Sequence, residues 1–364
     1  MKKVVITGGH FTPGLAVIEE LQKRGGWEIC WIGEEKAVRG QNAKTLEAQV
    51  LPKTKVPFYT IKTYKLQRRF FVENIVDIWK LALGFCQSFS ILKKEKPNVI
   101  LSFGGYISVP VAVSAWILGI PVIIHEQTTA SGLANRLVSK TARYVAISFE
   151  ESSKYFPKDK VVLTGNPVRY GIFKVADTRK VRADQPIIYI TGGSRGSQII
   201  NQNVAKVVDK LTRLGEVIHQ TGELDFLITM EKKESMSKQA SDNYLVSANF
   251  TPREVEEIYK KVSIVISRAG ANTVSELAAL GIPSILIPIS WSESDEQTKN
   301  AKLLEDMGAA IIIFESNLTP DILFQAVEKI TNEYKNYSEN ASLAKKLVPP
   351  SAASGIVALL EEVA

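Results

Sequence analysis

His10 is a residue whose ordinary pKa, near 6.5, lets it take up a proton at neutral pH. It closes the turn Thr7-Gly8-Gly9-His10, which follows an apolar run and leads into a helix-period segment carrying Leu15, Ile18 and Leu21. Glycines at such a junction let backbone N–H groups approach a ligand, and the helix start behind them carries partial positive charge. The arrangement recurs at Gly192-Gly193-Ser194-Arg195-Gly196-Ser197, ahead of a stripe of Ile200, Val204, Val207 and Leu211. A third instance is Arg268-Ala269-Gly270-Ala271-Asn272-Thr273-Val274-Ser275-Glu276-Leu277. Its helix start suits a diphosphate, and Glu276 further along suits a pair of ribose hydroxyls. Blander readings stand beside these: a tight strand–helix turn at Gly8-Gly9, an imidazole bonding backbone at His10, and a carboxylate favouring the helix dipole at Glu276.

Short runs rich in valine and isoleucine precede these turns and alternate with helix-period segments. In the first half they cover 4–7, 28–32, 58–61, 99–103, 122–125, 144–148 and 161–163; in the second, 187–191, 216–220, 244–247, 264–267, 285–288 and 310–314. Runs apolar at every position suit parallel strands covered on both faces, so the class is α/β with right-handed crossovers. Gly165-Asn166-Pro167 ends the first series, and residues 174–186 read as a polar connector before a second strand-glycine-helix unit. The expected division is 1–165, 166–349 and a last helix within 350–364 that packs back on the first domain. Each domain would be doubly wound, with a crevice at its strand carboxyl ends.

The chain has 364 residues and a formal net charge of +7, which fits an anionic partner such as a nucleotide, a diphosphate or an acidic membrane face. Cys30 and Cys86 have no CxxC spacing, which argues against a disulfide framework or a structural zinc site. No charged residue occurs from Phe103 to Ile124, but Gly104-Gly105, Pro110, Gly119 and Pro121 cut the stretch into a glycine loop, a buried helix and a buried strand.

Taken in order, these residues resemble a known family. Gly8 to Gly14, Gly104-Gly105-Tyr106, His125-Glu126-Gln127 and Gly165-Asn166-Pro167-Val168-Arg169 resemble the N-terminal motifs of the MurG family, glycosyltransferase family 28. Gly192-Gly193-Ser194, the 267–276 segment and Gln297 with Asn300 resemble its nucleotide domain. The chain departs from the family pattern in a shorter first glycine loop, in Thr128 after His-Glu-Gln, and in Glu296 before Gln297.

The resemblance implies a GT-B fold, two Rossmann-like doubly wound domains facing a central cleft. It implies inverting transfer of N-acetylglucosamine from UDP-N-acetylglucosamine to the muramyl sugar of a polyprenyl-diphosphate-linked peptidoglycan precursor. The catalytic candidates are His10, as base, and Glu126, as an alternative base or as the group orienting His10. The implied donor set is Thr7, Gly8, Gly9, Thr128, Arg169, Gly193, Ser194, Ala271, Asn272, Thr273, Val274, Ser275, Glu276, Gln297 and Asn300. Within it Glu276 meets the ribose, Ser194 and the 271–275 backbone the diphosphate, and Gln297 the sugar. The uracil edge is placed near Thr251-Pro252, and Gly104, Gly105, Tyr106 and Asn135 form the acceptor set. His219 also resembles the family, though a satisfied core histidine fits it equally. No cofactor is expected, no nucleic acid, and no metal, since no Asp-x-Asp pair occurs.

Arg68, Arg69, Phe70, Phe71, Ile75, Ile78, Trp79, Leu81, Ala82, Phe85 and Phe89, with Lys62, Lys65, Lys80, Lys93, Lys94 and Lys96 around them, suit either an interfacial helix on anionic lipid or a core helix with a basic end. The lipid-linked acceptor favours peripheral attachment at the cytoplasmic face of the membrane. Two rival activities share the plan: a glycolipid synthase acting on diacylglycerol, and a UDP-N-acetylglucosamine 2-epimerase.

Overall fold

The computed structural model describes residues 1–35, 45–62, 74–179, 181, 185–193, 196–290 and 295–364, with only the backbone course for 74–81. Two compact units emerge, Met1–Arg169 with Pro350–Ala364, and Tyr170–Pro349.

In the first unit the strands are β1 (Lys2–Thr7), β2 (Trp27–Gly33), β3 (Phe58–Thr60), β4 (Val99–Ser102), β5 (Val122–Glu126), β6 (Tyr144–Ile147) and β7 (Val161–Leu163). They form one parallel sheet in the order β3-β2-β1-β4-β5-β6-β7. Successive side chains point to opposite faces, so β1 divides its residues between two cores. Val4 and Ile6 join Val17, Leu21, Ile356, Val357 and Leu360 beneath the helices Phe11–Arg24 and Ala352–Val363. Val5 joins Leu92, Val111, Ala115 and Val138 beneath Asn74–Glu95, Ser108–Ile117 and Leu133–Val138. The final helix is thus part of the first unit's core, and Arg24 Nη1 pairs with Glu361 at 3.1 Å.

The second unit holds β8 (Ile187–Thr191), β9 (Glu216–Gln220), β10 (Tyr244–Ser247), β11 (Ile264–Ser267), β12 (Ser284–Leu286) and β13 (Ala310–Ile312). Their order is β10-β9-β8-β11-β12-β13, again all parallel. Ile188 and Ile190 pack against Ile200, Val204, Val208 and Leu211 of helix Gln198–Leu214, the stripe expected from periodicity. Every expected apolar run carries a strand, and the β4, β5, β11 and β12 runs are buried throughout.

Two expectations change. The 174–186 connector is helical at its start, because Tyr170–Thr178 forms a helix that buries Ile172 and Val175. The segment after Phe103 does become turn, helix and strand, yet its helix Ser108–Ile117 is not buried all round. Trp116 is 64% and Ile117 53% exposed, since only the face toward the sheet meets a core.

Candidate functional site

In each sheet the chain leaves a central strand, winds to one side, then returns to the other. The crevice forms where neighbouring strands send their connections to opposite faces. In the second unit this is the β8–β11 pair, with Thr191 opposite Ser267. In the first it is the β1–β4 pair, with Thr7 opposite Ser102. The glycine turns expected from sequence stand at these strand ends.

After β8, Gly193 donates its N–H to Thr191 Oγ1 at 3.0 Å, and its carbonyl accepts from Gln220 Nε2 at 3.1 Å. Gln220 is held in turn by the Tyr189 hydroxyl at 3.0 Å. Gly193 has φ +83°, and among the described residues no heavy atom lies within 4 Å of the place a Cβ would take. Ser194 and Arg195 lie outside the described residues. Helix Gln198–Leu214 begins at Ser197, whose buried hydroxyl caps nothing and has no partner among the described residues.

After β11, helix Ala271–Leu280 begins at Gly270 without a side-chain cap or an acidic first turn. An uncapped helix start presents backbone N–H donors and positive potential, the elements of an anion site. Val274 N–H is already bonded to Gly270 O at 3.0 Å, and Val274 and Ser275 are buried. That narrows the implied diphosphate set to the N–H groups of Ala271, Asn272 and Thr273. Glu276 is half-buried one turn on, where the Tyr259 hydroxyl donates to its Oε2 at 3.4 Å and the Tyr189 ring packs edge-on to Tyr259. Asn300 is buried and donates to Ala269 O at 3.2 Å, while Gln297 Oε1 accepts from Ile289 N–H at 3.1 Å. Thr251 caps its helix through a capping box with Glu254, beside Phe250, whose ring lies 6.3 Å from Tyr189.

The first unit's crevice is tighter. Phe103 N–H donates to Thr7 O at 2.7 Å and Gly9 N–H to Gly104 O at 3.0 Å, so the two glycine turns are bonded to each other. Gly8, at φ +138°, would place a Cβ 2.7 Å from the Phe103 backbone, which no side chain could share. His10 occupies the N-cap of helix Phe11–Arg24, half-buried, and desolvation holds its pKa below the ordinary value. Its imidazole is therefore neutral at pH 7, the state a proton acceptor needs.

Behind it, His125 and Glu126 end β5. His125 is fully buried, with Nε2 3.0 Å from Gly165 O and Nδ1 3.0 Å from Gln127 Nε2. The carbonyl requires the proton on Nε2, so Nδ1 accepts from the Gln127 amide. Burial depresses this imidazole to about 4. Glu126 Oε1 accepts from Thr128 N–H at 3.3 Å and lies 3.1 Å from its hydroxyl, and Oε2 accepts from Asn135 Nδ2 at 3.0 Å. Burial raises its pKa despite these donors.

The Glu126 carboxylate thus fastens the loop that carries Thr128 to the helix that carries Asn135, and no hydrogen bond joins it to His10 among the described residues. Thr128 is buried, and its hydroxyl lies between Glu126 and Ala130 O, so it helps to shape the loop. Asn135 Oδ1 has no partner among the described residues and sits where a Gly104 Cβ would come within 2.9 Å. Tyr106 donates to Glu34, and Arg169, the first unit's last residue before the terminal helix, is buried.

His219 resolves as a core histidine: Nε2 donates to Asn201 Oδ1 at 3.0 Å, Nδ1 accepts from the Tyr244 hydroxyl at 2.7 Å, and burial lowers it to about 3. Gln220, Tyr189 and Tyr259, which brace the Gly193 turn and Glu276, were not expected from the sequence. Their signal was available only in Gln220, a polar residue at the carboxyl end of an otherwise apolar strand.

Residues 5–147 match the glycosyltransferase family 28 N-terminal domain, and residues 187–354 match its C-terminal domain. The UDP-N-acetylglucosamine--N-acetylmuramyl-(pentapeptide) pyrophosphoryl-undecaprenol N-acetylglucosamine transferase of Bacillus subtilis is 35% identical, over 98% of this chain and 97% of its own. The same-named protein of Exiguobacterium sp. is 38% identical over 98% and 97%. Among solved structures, Acinetobacter baumannii MurG superposes with a TM-score of 0.71 at 26% identity, covering all of both chains. The UDP-GlcNAc 2-epimerase of Neisseria meningitidis reaches 0.70 at 16% identity over the same extent, a likeness of fold alone. With both family domains in sequence order and full-length relatives above one-third identity, the chain is a GT-B protein that belongs to glycosyltransferase family 28.

Proposed function

We infer that the chain is an N-acetylglucosaminyltransferase that joins N-acetylglucosamine from UDP-N-acetylglucosamine to the muramyl sugar of a polyprenyl-diphosphate-linked peptidoglycan precursor, lipid I to lipid II. The observation that carries this reading is the end-to-end likeness to transferases of that name, 35% identical over 98% of the chain. In the reaction the acceptor's hydroxyl oxygen attacks the anomeric carbon, the bond from that carbon to the diphosphate breaks, and UDP leaves with inversion. The hydroxyl proton passes to His10, which is neutral at pH 7. The N–H groups of Ala271, Asn272 and Thr273 face the charge growing on UDP, Glu276 takes the ribose hydroxyls, and Gln297 with Asn300 reads the sugar.

Peripheral attachment to the membrane surface belongs to the same reading, and the first unit supports it. Leu83, Val113, Trp116, Ile117, Leu133 and Leu137 are all exposed, on the neighbouring helices Asn74–Glu95, Ser108–Ile117 and Leu133–Val138. Arg136 and Lys140 are exposed at the end of the third. Apolar side chains rimmed by cations suit an anionic lipid surface. The stretch expected from sequence contributes less that can be placed. Its residues 63–73 lie outside the described residues and the 74–81 side chains with them, while Phe85 and Phe89 are half-buried. The deciding experiment incubates the protein with UDP-N-acetylglucosamine and lipid-linked muramyl peptide, diacylglycerol, or neither. UDP release confined to the first is expected; release with diacylglycerol, or N-acetylmannosamine without acceptor, overturns the reading.

A further inference from the structure

A side chain outside every motif above joins the separate pieces of the second unit's crevice. Glu315 lies just after β13, and its side chain and that of Arg268 are each 15% exposed. Glu315 Oε1 accepts from Arg268 Nη2 at 2.7 Å, and Oε2 accepts from the Ser290 N–H at 3.1 Å and the Ser290 hydroxyl at 2.6 Å. Arg268 Nη1 also donates to Ile287 O at 3.1 Å. From this loop Ile289 N–H reaches Gln297 Oε1, and Asn300 on the same helix, Glu296–Glu305, returns to Ala269 O. The bonds close a ring: the 268–270 turn, the 287–290 loop, the Gln297 helix, and the turn again.

Bonds between ionised partners are shorter and stronger than neutral ones, and low exposure shields them from salt. Burial alone would raise the Glu315 carboxyl, but Ser290 and Arg268 outweigh it and hold the pKa below the ordinary value. The group is therefore ionised at neutral pH and divides its two oxygens between the turn and the loop.

We propose that Glu315 is a positioning residue for the donor's sugar, holding the 287–290 loop, and through it Gln297, in register with the helix start that faces the diphosphate. The proposal rests on the functional reading above and deepens it. A sugar ring stands at a set distance from its diphosphate, so the spacing between the two recognising groups decides which ring stereochemistry is accepted. Glu315 sets that spacing through two loops without touching the ligand.

The test compares wild type, Glu315→Ala, Glu315→Gln, Gln297→Ala and the Glu315→Ala/Gln297→Ala double variant. The readouts are kcat and KM for UDP-N-acetylglucosamine, the affinity for UDP alone, and turnover of the 4-epimeric donor UDP-N-acetylgalactosamine. Glu315→Ala is expected to raise the donor KM about tenfold, to narrow the preference between the epimers, and to leave UDP affinity within about twofold. Glu315→Gln, whose amide oxygen still accepts from Ser290, recovers part of the loss and serves if the alanine variant fails to fold. In the Gln297→Ala background the Glu315 change should add little, because both act through one contact. Unchanged donor KM and epimer preference in both Glu315 variants, or fully additive effects, would overturn the proposal even if Tm fell. Wild type without turnover removes the functional reading and this proposal with it; normal wild type with unchanged variants removes the proposal alone.

Discussion

The two crevices share one topology over six strands and differ in how closely their glycine turns are packed. In the first unit the turns are bonded to each other, Gly8 would place a Cβ 2.7 Å from the Phe103 backbone, and Gly104 would place one 2.9 Å from Asn135 Oδ1. In the second, Gly193 and Gly270 have no heavy atom of the described residues within 4 Å of the place a Cβ would take. Among the described residues both crevices keep buried polar atoms without a partner, Thr7 Oγ1 and Asn135 Oδ1 in the first, Ser197 Oγ, Asn272 Oδ1 and Asn300 Oδ1 in the second. Such atoms are rare and costly unless something else supplies the missing bond. The same strand order does not impose the same packing at the strand ends.

If that contrast holds, the largest effect lies at the imidazole. His10→Ala should lower kcat by about 10²–10⁴-fold, with UDP affinity nearly intact. Steady-state kinetics beside calorimetric titration with UDP would check it, and a tenfold loss of UDP affinity would move His10 into the donor site.

Next comes acid sensitivity, for each unit buries a neutral histidine. An unfolded imidazole takes a proton near pH 6.5, whereas folded His125 waits until about 4 and His219 until about 3. The unfolded chain gains protons first, so stability falls as pH drops below 6.5, by on the order of 3 kcal/mol per histidine near pH 4. Urea unfolding at pH 7, 5.5 and 4.5 measures this; a flat profile would deny both burials.

A glycine pair sharpens the comparison further. Gly8→Ala should cost about 2–3 kcal/mol, since its Cβ meets the Phe103 backbone at a positive φ. Gly270→Ala, with φ −65° and nothing within 4 Å, should leave Tm almost unchanged. Equal losses would erase the distinction between a packed and an open turn. The smallest loss expected is at Glu276, where alanine should weaken UDP about tenfold without altering the fold. An unchanged titration would release it from the ribose.

Much of this was legible in the residues themselves. The thirteen apolar runs lie where strands formed, and the three glycine turns stand at the strand ends that bound the two crevices. The roles of individual polar residues were not legible. Glu126 stands in the sequence as an alternative to His10, and only the fold shows the Thr128 and Asn135 donors around its carboxylate. His219 fits a family residue and a core histidine equally until Asn201 and Tyr244 close on it from other elements. Trp116 and Ile117 sit in a run apolar enough to be called buried, yet with Val113 they lie on the exposed side of their helix.

Local periodicity and the backbone freedom of glycine act over a few residues, so the sequence by itself determined strands, helices, their alternation and the turns between them. Burial and hydrogen-bond partners come from elements far apart in the chain. Only the tertiary structure could decide that Glu315 meets Arg268, that Gln220 holds Gly193, and that the last helix completes the first unit's core.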